Sequence, residues 1–234
     1  MDVKLDVVSQ YNFRGVVQNE KPVVQPYGSV RVPLGPDSGV GAAVWANADI
    51  YDDTGDSTFP DGNGQSFSEI DTSLTYFQHA GGVEYAIGAV NYAYPTNSRA
   101  TPSQTDAYAT AEWEASGWGN AFAAYYSLND FGGLYLRADF SRGWKINQRT
   151  RFDLGLGVGY SDSDNSLFYY GVAADGLADV SLTGSLGYSF DKRTSGAFYV
   201  TAIQVTESDL EDSLEAQGLE AGNIIAGVSM SWAY

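Results

Sequence analysis

The last thirteen residues, Gly222 to Tyr234, read GNIIAGVSMSWAY, and their reading decides the fold. Every second side chain from Ile224 (Ile224, Ala226, Val228, Met230, Trp232, Tyr234) falls on one face, and Ile225, Gly227, Ser229, Ser231 and Ala233 fall on the other. Successive side chains of an extended strand point to opposite faces, and the alternation outlasts the usual strand of about five or six residues. An apolar face backed by small polar residues suits a strand with lipid on one side and a wet lumen on the other. The expectation is an all-β chain: a transmembrane antiparallel up-and-down β-barrel closed by this strand.

The same alternation recurs upstream. Residues 2–14, DVKLDVVSQYNFR, read as the first strand, with Val3, Leu5, Val7, Tyr11 and Phe13 outward and Lys4, Asp6, Gln10, Asn12 and Arg14 inward. Further strands are expected near 26–33, 39–51, 66–78, 83–95, 105–115, 120–128, 134–141, 151–161, 179–190 and 197–206, about twelve in all. Phe152, Leu154, Leu156, Val158 and Tyr160 alternate with Gly155, Gly157 and Gly159 especially cleanly. The 197–206 strand is apolar on both sides, and Tyr199, Ile203 and Val205 are assigned outward.

Connection lengths alternate too. They are short at 34–39, 79–82, 116–119, 145–149 and 191–195, and longer at 15–25, 52–66, 95–104, 162–176 and 207–221, with 129–133 a short exception. Short periplasmic turns, longer outer loops and an even strand count place both termini in the periplasm. Acidic residues gather in the long loops, where 207–220 has room for a short helical turn, while Lys145, Arg149, Lys192 and Arg193 lie in short turns.

Composition agrees with one barrel domain over residues 1–234. The chain carries 29 acidic and 12 basic residues, a formal net charge of −17, which argues against nucleic acid as a partner. The absence of cysteine excludes disulfides and thiolate metal sites. No apolar run approaches the roughly 20 residues of a membrane-spanning helix, and the mean hydropathy is −0.23. A barrel keeps that average low because only alternate residues meet lipid. The 17 Tyr, 5 Trp, 11 Phe and 27 Gly fit aromatic girdles and lumen-facing glycines. Met1-Asp2-Val3 opens directly into alternation, as expected of a mature exported chain.

By parity the inward acids are Asp6, Asp49, Glu69, Asp71, Glu84, Asp106, Glu112, Glu114, Asp139, Asp153 and Asp179, and the inward bases are Lys4, Arg14, Arg31, Arg137 and Arg151. Carboxylate ladders favour cations, and interleaved arginines set a constriction field. These residues are the expected lining of a narrow, weakly cation-preferring path for passive diffusion of small polar or cationic solutes. A second reading stays open. Opposite charges neutralise one another across a plugged lumen, and a non-conducting barrel uses its acidic outer loops to bind a partner or the cell surface. A soluble β-sandwich is a third.

Enzymatic readings have little to stand on. The only histidine, His79, falls in an expected short turn, away from any nucleophile. Glu69/Asp71 and Glu112/Glu114 are neighbours on strand faces, the spacing of an acid–base pair, but lumens carry such ladders without catalysis. No cofactor or metal is expected. The acidic loops 52–66 and 207–220 lack the spacing of a calcium-binding loop, so a solvated outer surface is favoured over divalent bridging to lipopolysaccharide.

Three segments resemble a known group. Ser9-Gln10-Tyr11-Asn12-Phe13-Arg14-Gly15, followed by Val17-Gln18 and Lys21-Pro22, resembles the amino-terminal S-x-Y-x-F-R-G signature of the TorF-family porins, a proteobacterial outer-membrane group. Glu69-Ile70-Asp71 and Tyr92-Ala93-Tyr94-Pro95 resemble two later segments of that family. The long acidic stretches 52–66 and 207–220 depart from it. The resemblance implies a small porin-like channel in the bacterial outer membrane, with no substrate fixed.

Overall fold

The structure, a computed structural model, describes residues 1–50, 67–95 and 103–234. The acidic 52–66 connection and most of the 95–104 loop lie outside the described residues. In chain order the elements are β1 (Asp2–Val8), β2 (Tyr11–Phe13), β3 (Val16–Asn19), β4 (Val23–Pro33), β5 (Ser38–Asp49), β6 (Phe67–Ala80), β7 (Val83–Ala93), β8 (Gln104–Ala115), β9 (Trp118–Ser127), β10 (Leu134–Lys145) and β11 (Thr150–Ser161). They continue with α1 (Ser163–Tyr170), β12 (Gly176–Ser189), β13 (Thr194–Val205), α2 (Ser208–Ala216) and β14 (Gly222–Ala233).

Every strand except β2 and β3 belongs to one closed antiparallel barrel of twelve strands, in which sequence neighbours pair and β14 closes on β1. The seam runs from Asp2↔Ala233 to Val8↔Gly227, and the Tyr234 amide donates to the Met1 carbonyl at 2.9 Å. Closure removes the sheet edge whose unpaired amides hydrocarbon would not tolerate. A twelve-residue strand such as β10, rising about 3.3 Å per residue and tilted about 40°, spans an apolar band of roughly 25 Å.

The outward face is apolar. Leu74 is 71 % exposed, Ile87 61 % and Ile224 72 %, and Val44, Phe122, Leu182 and Val228 are exposed with them. Such a continuous apolar exterior on a closed sheet is a lipid-facing surface. This is the architecture of an integral outer-membrane β-barrel.

The turns at one end are tight for a local reason. Gly81-Gly82 and Ser116-Gly117 all have positive φ, at 61°, 79°, 55° and 76°, the two-residue turn whose twist matches that of paired strands. Strands therefore run further than the sequence suggested, and His79 lies in β6, opposite Glu84, instead of in a turn.

Three further expectations are corrected. The first barrel strand stops at Val8 and does not reach Arg14. Residues 11–19 instead form a separate hairpin, β2–β3, that turns into the barrel, so Tyr11 and Phe13 do not face lipid. The second barrel strand accordingly begins at Val23.

In β13 the facing is reversed. Phe198 and Val200 are exposed to the outside, while Tyr199 bonds Asp6, Ile203 lines the lumen and Val205 is buried. The cause lies across the strands: Tyr199 sits opposite Gly227 on β14 and Ser185 on β12, which leave its ring room inside.

At the loop end, 163–170 and 208–216 are helices. Asp162 accepts from the Asn165 amide at 2.8 Å and Asp175 from the Ser163 amide at 2.8 Å, so these two loop carboxylates cap α1. Leu210 and Leu214, four apart on α2, are buried with Tyr170, Val16, Tyr135 and Val205 in one apolar cluster. Hairpin, helices and barrel wall share this cluster.

Candidate functional site

The hairpin is the centre of the site. Phe13 pairs with Val16 across Arg14 and Gly15, whose φ angles are 52° and 86°. Positive φ at both central residues makes a tight two-residue turn. Glycine adopts that conformation freely, whereas arginine does so at a cost that surrounding contacts must offset. Those contacts come from around the barrel. Tyr11 donates to Glu69 of β6 at 2.8 Å and packs against Trp45 of β5 with ring centroids 5.5 Å apart. Phe13 meets Tyr92 of β7 edge-on at 5.8 Å and Tyr169 of α1 at 5.6 Å. Gly15 lies against Val205 of β13 and Asp179 of β12. An element touched by so many strands lies inside the lumen.

Arg14, expected on the wall, is the tip of this hairpin. Its guanidinium donates through Nη2 to Asp106 Oδ2 at 2.9 Å and through Nη1 to Asn165 Oδ1 at 2.9 Å. Four aromatic rings surround it, with centroids at 4.9 Å (Phe13), 5.4 Å (Tyr125), 4.5 Å (Tyr135) and 5.0 Å (Tyr169) from Cζ. Only 6 % of the side chain is accessible. Ring faces attract a cation, and a buried ion pair is tolerable when hydrogen bonds complete it. Asp106 Oδ1, also buried, has no partner among the described residues. Burial, with the Glu69 and Asp71 carboxylates behind it, holds the Tyr11 hydroxyl well above its ordinary range, so it remains a donor.

Beneath the hairpin the lumen opens into a cavity of about 860 Å³, lined by Arg14, Arg31, Asp71, Glu84, Glu112, Arg137 and Asp179, with Tyr27, Tyr92, Tyr108 and Tyr125 among the aromatic walls. Glu84 and Glu112 also line a second space of about 450 Å³, which reaches His79, Glu114, Asp139 and the short turns. Arg151 and Asp153 border a third, of about 780 Å³, beside Lys145 and Arg149.

The predicted lining residues thus fall into distinct groups. Asp106 and Asp179 lie near the loop end, buried, and hold Arg14 and Arg137. Asp49 and Glu69 are buried beside them; Asp49 accepts from Asn47 at 2.8 Å. Arg137 bridges Asp139 at 3.0 Å and Asp179 at 2.7 Å. Lys4 pairs with Asp6 at 2.9 Å, Arg31 with Glu84 at 2.8 Å, and Arg151 with Asp153. Each of the inward bases therefore has a carboxylate partner, whereas Glu69, Asp71, Glu112 and Glu114 form no salt bridge among the described residues. His79 Nε2 lies 3.0 Å from Glu84, and its ring meets Phe77 edge-on at 6.2 Å.

Sequence reasoning missed Tyr125, Tyr135, Tyr169, Tyr170 and Asn165, which hold the hairpin. The one available signal was Arg14-Gly15 between apolar Phe13 and Val16-Val17, the pattern of a tight hairpin.

No family model matches the chain, and no curated protein matches it either. Solved structures do match. The NanC porin superposes with a TM-score of 0.57 at 8% identity, covering 100% of this chain and 99% of that one. The KdgM porin superposes with a TM-score of 0.56 at 9% identity, covering 100% and 99%. Outer membrane phospholipase A from Escherichia coli superposes with a TM-score of 0.54 at 13% identity, covering 99% and 92%. At such identities the likeness is one of fold, an outer-membrane barrel, shared with these porins and with this phospholipase alike.

Proposed function

We propose that the protein is an outer-membrane channel for passive diffusion of small solutes, weakly cation-preferring, with both termini and the short turns on the periplasmic side. The observation that carries this reading is the acid-rich lumen: a cavity of about 860 Å³ runs from the hairpin toward the short turns, and its bases Arg14, Arg31 and Arg137 are all paired while Glu112 forms no salt bridge among the described residues. Uncompensated carboxylates in a low-dielectric passage raise the local concentration of cations. The sixteen residues expected to line the path would set its field, with the Arg14 hairpin as its narrowest point.

The fold-level neighbours support a channel and differ in chemistry. One KdgM structure is described as a complex with oligogalacturonate, a polyanion. The acid excess here disfavours a polyanion and suits neutral or cationic solutes. His79 is read as a structural partner of Glu84, and the chain as a non-enzyme.

Kinship with the TorF-family porins is kept as a proposal that rests on the three sequence segments alone. The three segments that carry it meet in space, through Tyr11 on Glu69 and Phe13 on Tyr92.

A specific observation favours the second reading, a sealed barrel: the hairpin, α1 and α2 share one buried apolar cluster across the loop end. Swelling of proteoliposomes in sugars of graded size separates the two. A size-limited influx is expected of the channel, and no influx at any size would leave the sealed barrel.

A further inference from the structure

We infer that the loop end of the lumen holds a guanidinium-recognition site, occupied in this state by the chain's own Arg14, for which small guanidinium-bearing solutes compete from the cavity below. The inference rests on the channel reading only for the route by which a solute arrives.

The cage is built for a planar fork. Two acceptors on different elements, Asp106 Oδ2 on β8 and Asn165 Oδ1 on α1, take one donor each from the two terminal nitrogens, both at 2.9 Å. A compact ammonium would not span both acceptors while lying against the four rings. Asp106 is 1 % exposed and its Oδ1 has no partner among the described residues, so the site retains acceptor capacity that Arg14 does not use. Asn165 is itself fixed, its Nδ2 donating to Ser161 Oγ at 2.7 Å and its amide to Asp162. Asp106 Oδ2 also accepts from the Tyr92 hydroxyl at 3.4 Å, so both acceptors keep a partner when Arg14 leaves.

The occupant, by contrast, is removable. Arg14 is attached through a two-residue turn in a conformation unfavourable for arginine, at the end of a hairpin whose covalent connections to the barrel are residues 9–10 and 20–22. It behaves as a tethered ligand, and a tether sets a high effective concentration against which a free solute must compete. Phe13, Arg14, Tyr125 and Tyr135 line the cavity, so the cage faces the lumen. Glu112, on the way and in no salt bridge among the described residues, admits a cation and repels a solute bearing its own carboxylate. A cationic guanidinium compound without an acid group, agmatine, is the suitable probe.

The test is calorimetric titration of agmatine into detergent-folded protein. Arg14→Ala is expected to bind agmatine saturably, at least tenfold more tightly than the wild type, whose cage is filled. Adding Asp106→Asn should abolish that binding, and a diamine of equal length should bind Arg14→Ala at least tenfold more weakly than agmatine. Folding is verified by the shift of unboiled protein on a gel. Should Arg14→Ala not fold, Arg14→Lys keeps the charge, loses the fork, and is expected to bind agmatine more tightly than the wild type. Binding no tighter in the folded variant than in the wild type, or equal binding of the diamine, would overturn the inference. Conductance is recorded separately. Agmatine binding without current leaves the site and removes the channel, and current without agmatine binding does the reverse.

Discussion

The hydroxyl of Tyr170, the last residue of α1, donates to the main-chain carbonyl of Arg14 at the hairpin tip, joining residues 156 apart in the chain. The Tyr170 carbonyl in turn accepts from Ser213 Oγ at 2.7 Å and Gln217 Nε2 at 2.8 Å on α2 and just after it. The outer helices and the inner hairpin are thereby one mechanical unit. Burial holds the Tyr170 hydroxyl well above its ordinary range, so it donates throughout the working pH range. Tyr170→Phe keeps the ring and removes only this donor. At about 1 kcal/mol for such a bond, the population with the hairpin unseated should rise about fivefold. Limited trypsin digestion of folded protein reads this directly, because the Arg14–Gly15 bond is shielded while the hairpin is seated. An unchanged cleavage rate would mean that the hydroxyl does not hold the hairpin.

Asp106 has a larger role. Removing one member of a buried ion pair strands the other charge, at a cost of about 3–5 kcal/mol. In Asp106→Asn the stranded guanidinium leaves the cage more cheaply than it stays. The barrel wall should persist, since β8 keeps its ladders to β7 and β9. The expected result is normal heat-modifiable migration together with rapid cleavage at Arg14. Loss of the folded band would instead make the pair part of the barrel's own stability.

Selectivity should follow Glu112 and Glu114. Both lie on the inward face of β8 by the second cavity, and neither forms a salt bridge among the described residues. Replacing both by Gln removes two negative charges from the passage with little change in volume. The cation-over-anion permeability ratio, read from the reversal potential in a KCl gradient, should fall toward unity. A ratio unchanged by the double substitution would place the selective field elsewhere.

How much of this was legible beforehand depends on what each segment's periodicity encodes. Facing was readable wherever one side of a strand is apolar and the other polar, as in β11, where Phe152 and Leu156 alternate with glycines. It failed in β13, because Phe198, Val200, Tyr199 and Ile203 leave no contrast between faces. The deciding fact, Gly227 opposite Tyr199, is a matter of register, which one strand does not reveal. The hairpin escaped because Tyr11 and Phe13 continue the parity of Val3, Leu5 and Val7 after the chain has turned inward. Helices of eight and nine residues are too short for periodicity to declare them. The cage draws on Arg14, Asp106, Tyr125, Tyr135 and Asn165, whose convergence only barrel closure produces.

The turn at Asp191 offers a pH test outside the membrane. Its Oδ1 accepts from the Arg193 amide at 2.7 Å and the Thr194 amide at 2.8 Å, and these bonds hold its carboxyl below the usual aspartate value. A lowered folded-state value stabilises the fold above the ordinary aspartate range of about 3.9 and loses that contribution as pH falls through the lowered value. Asp191→Ala should therefore be less stable than the wild type at neutral pH, with the gap closing below about pH 4. Urea-unfolding midpoints in detergent at pH 7 and pH 3 check the sign. A gap that widens on acidification would contradict it.

Gly227 tests whether the reversed face of β13 is built by room across the strand. A side chain at Gly227 would meet the Tyr199 ring, which sits directly opposite and donates to Asp6 at 3.3 Å. Gly227→Val must displace that ring and break the bond. Overpacking of this kind costs about 1–3 kcal/mol. The temperature at which the unboiled band disappears should fall. Tyr199→Ala alone loses the bond and the packing but opens space, so the double substitution Gly227→Val, Tyr199→Ala should be more stable than the sum of the single effects implies. Neighbours in contact couple in this way. Strict additivity would mean that Tyr199 is held inward by something other than the glycine it faces, and the explanation for the facing of β13 would fall with it.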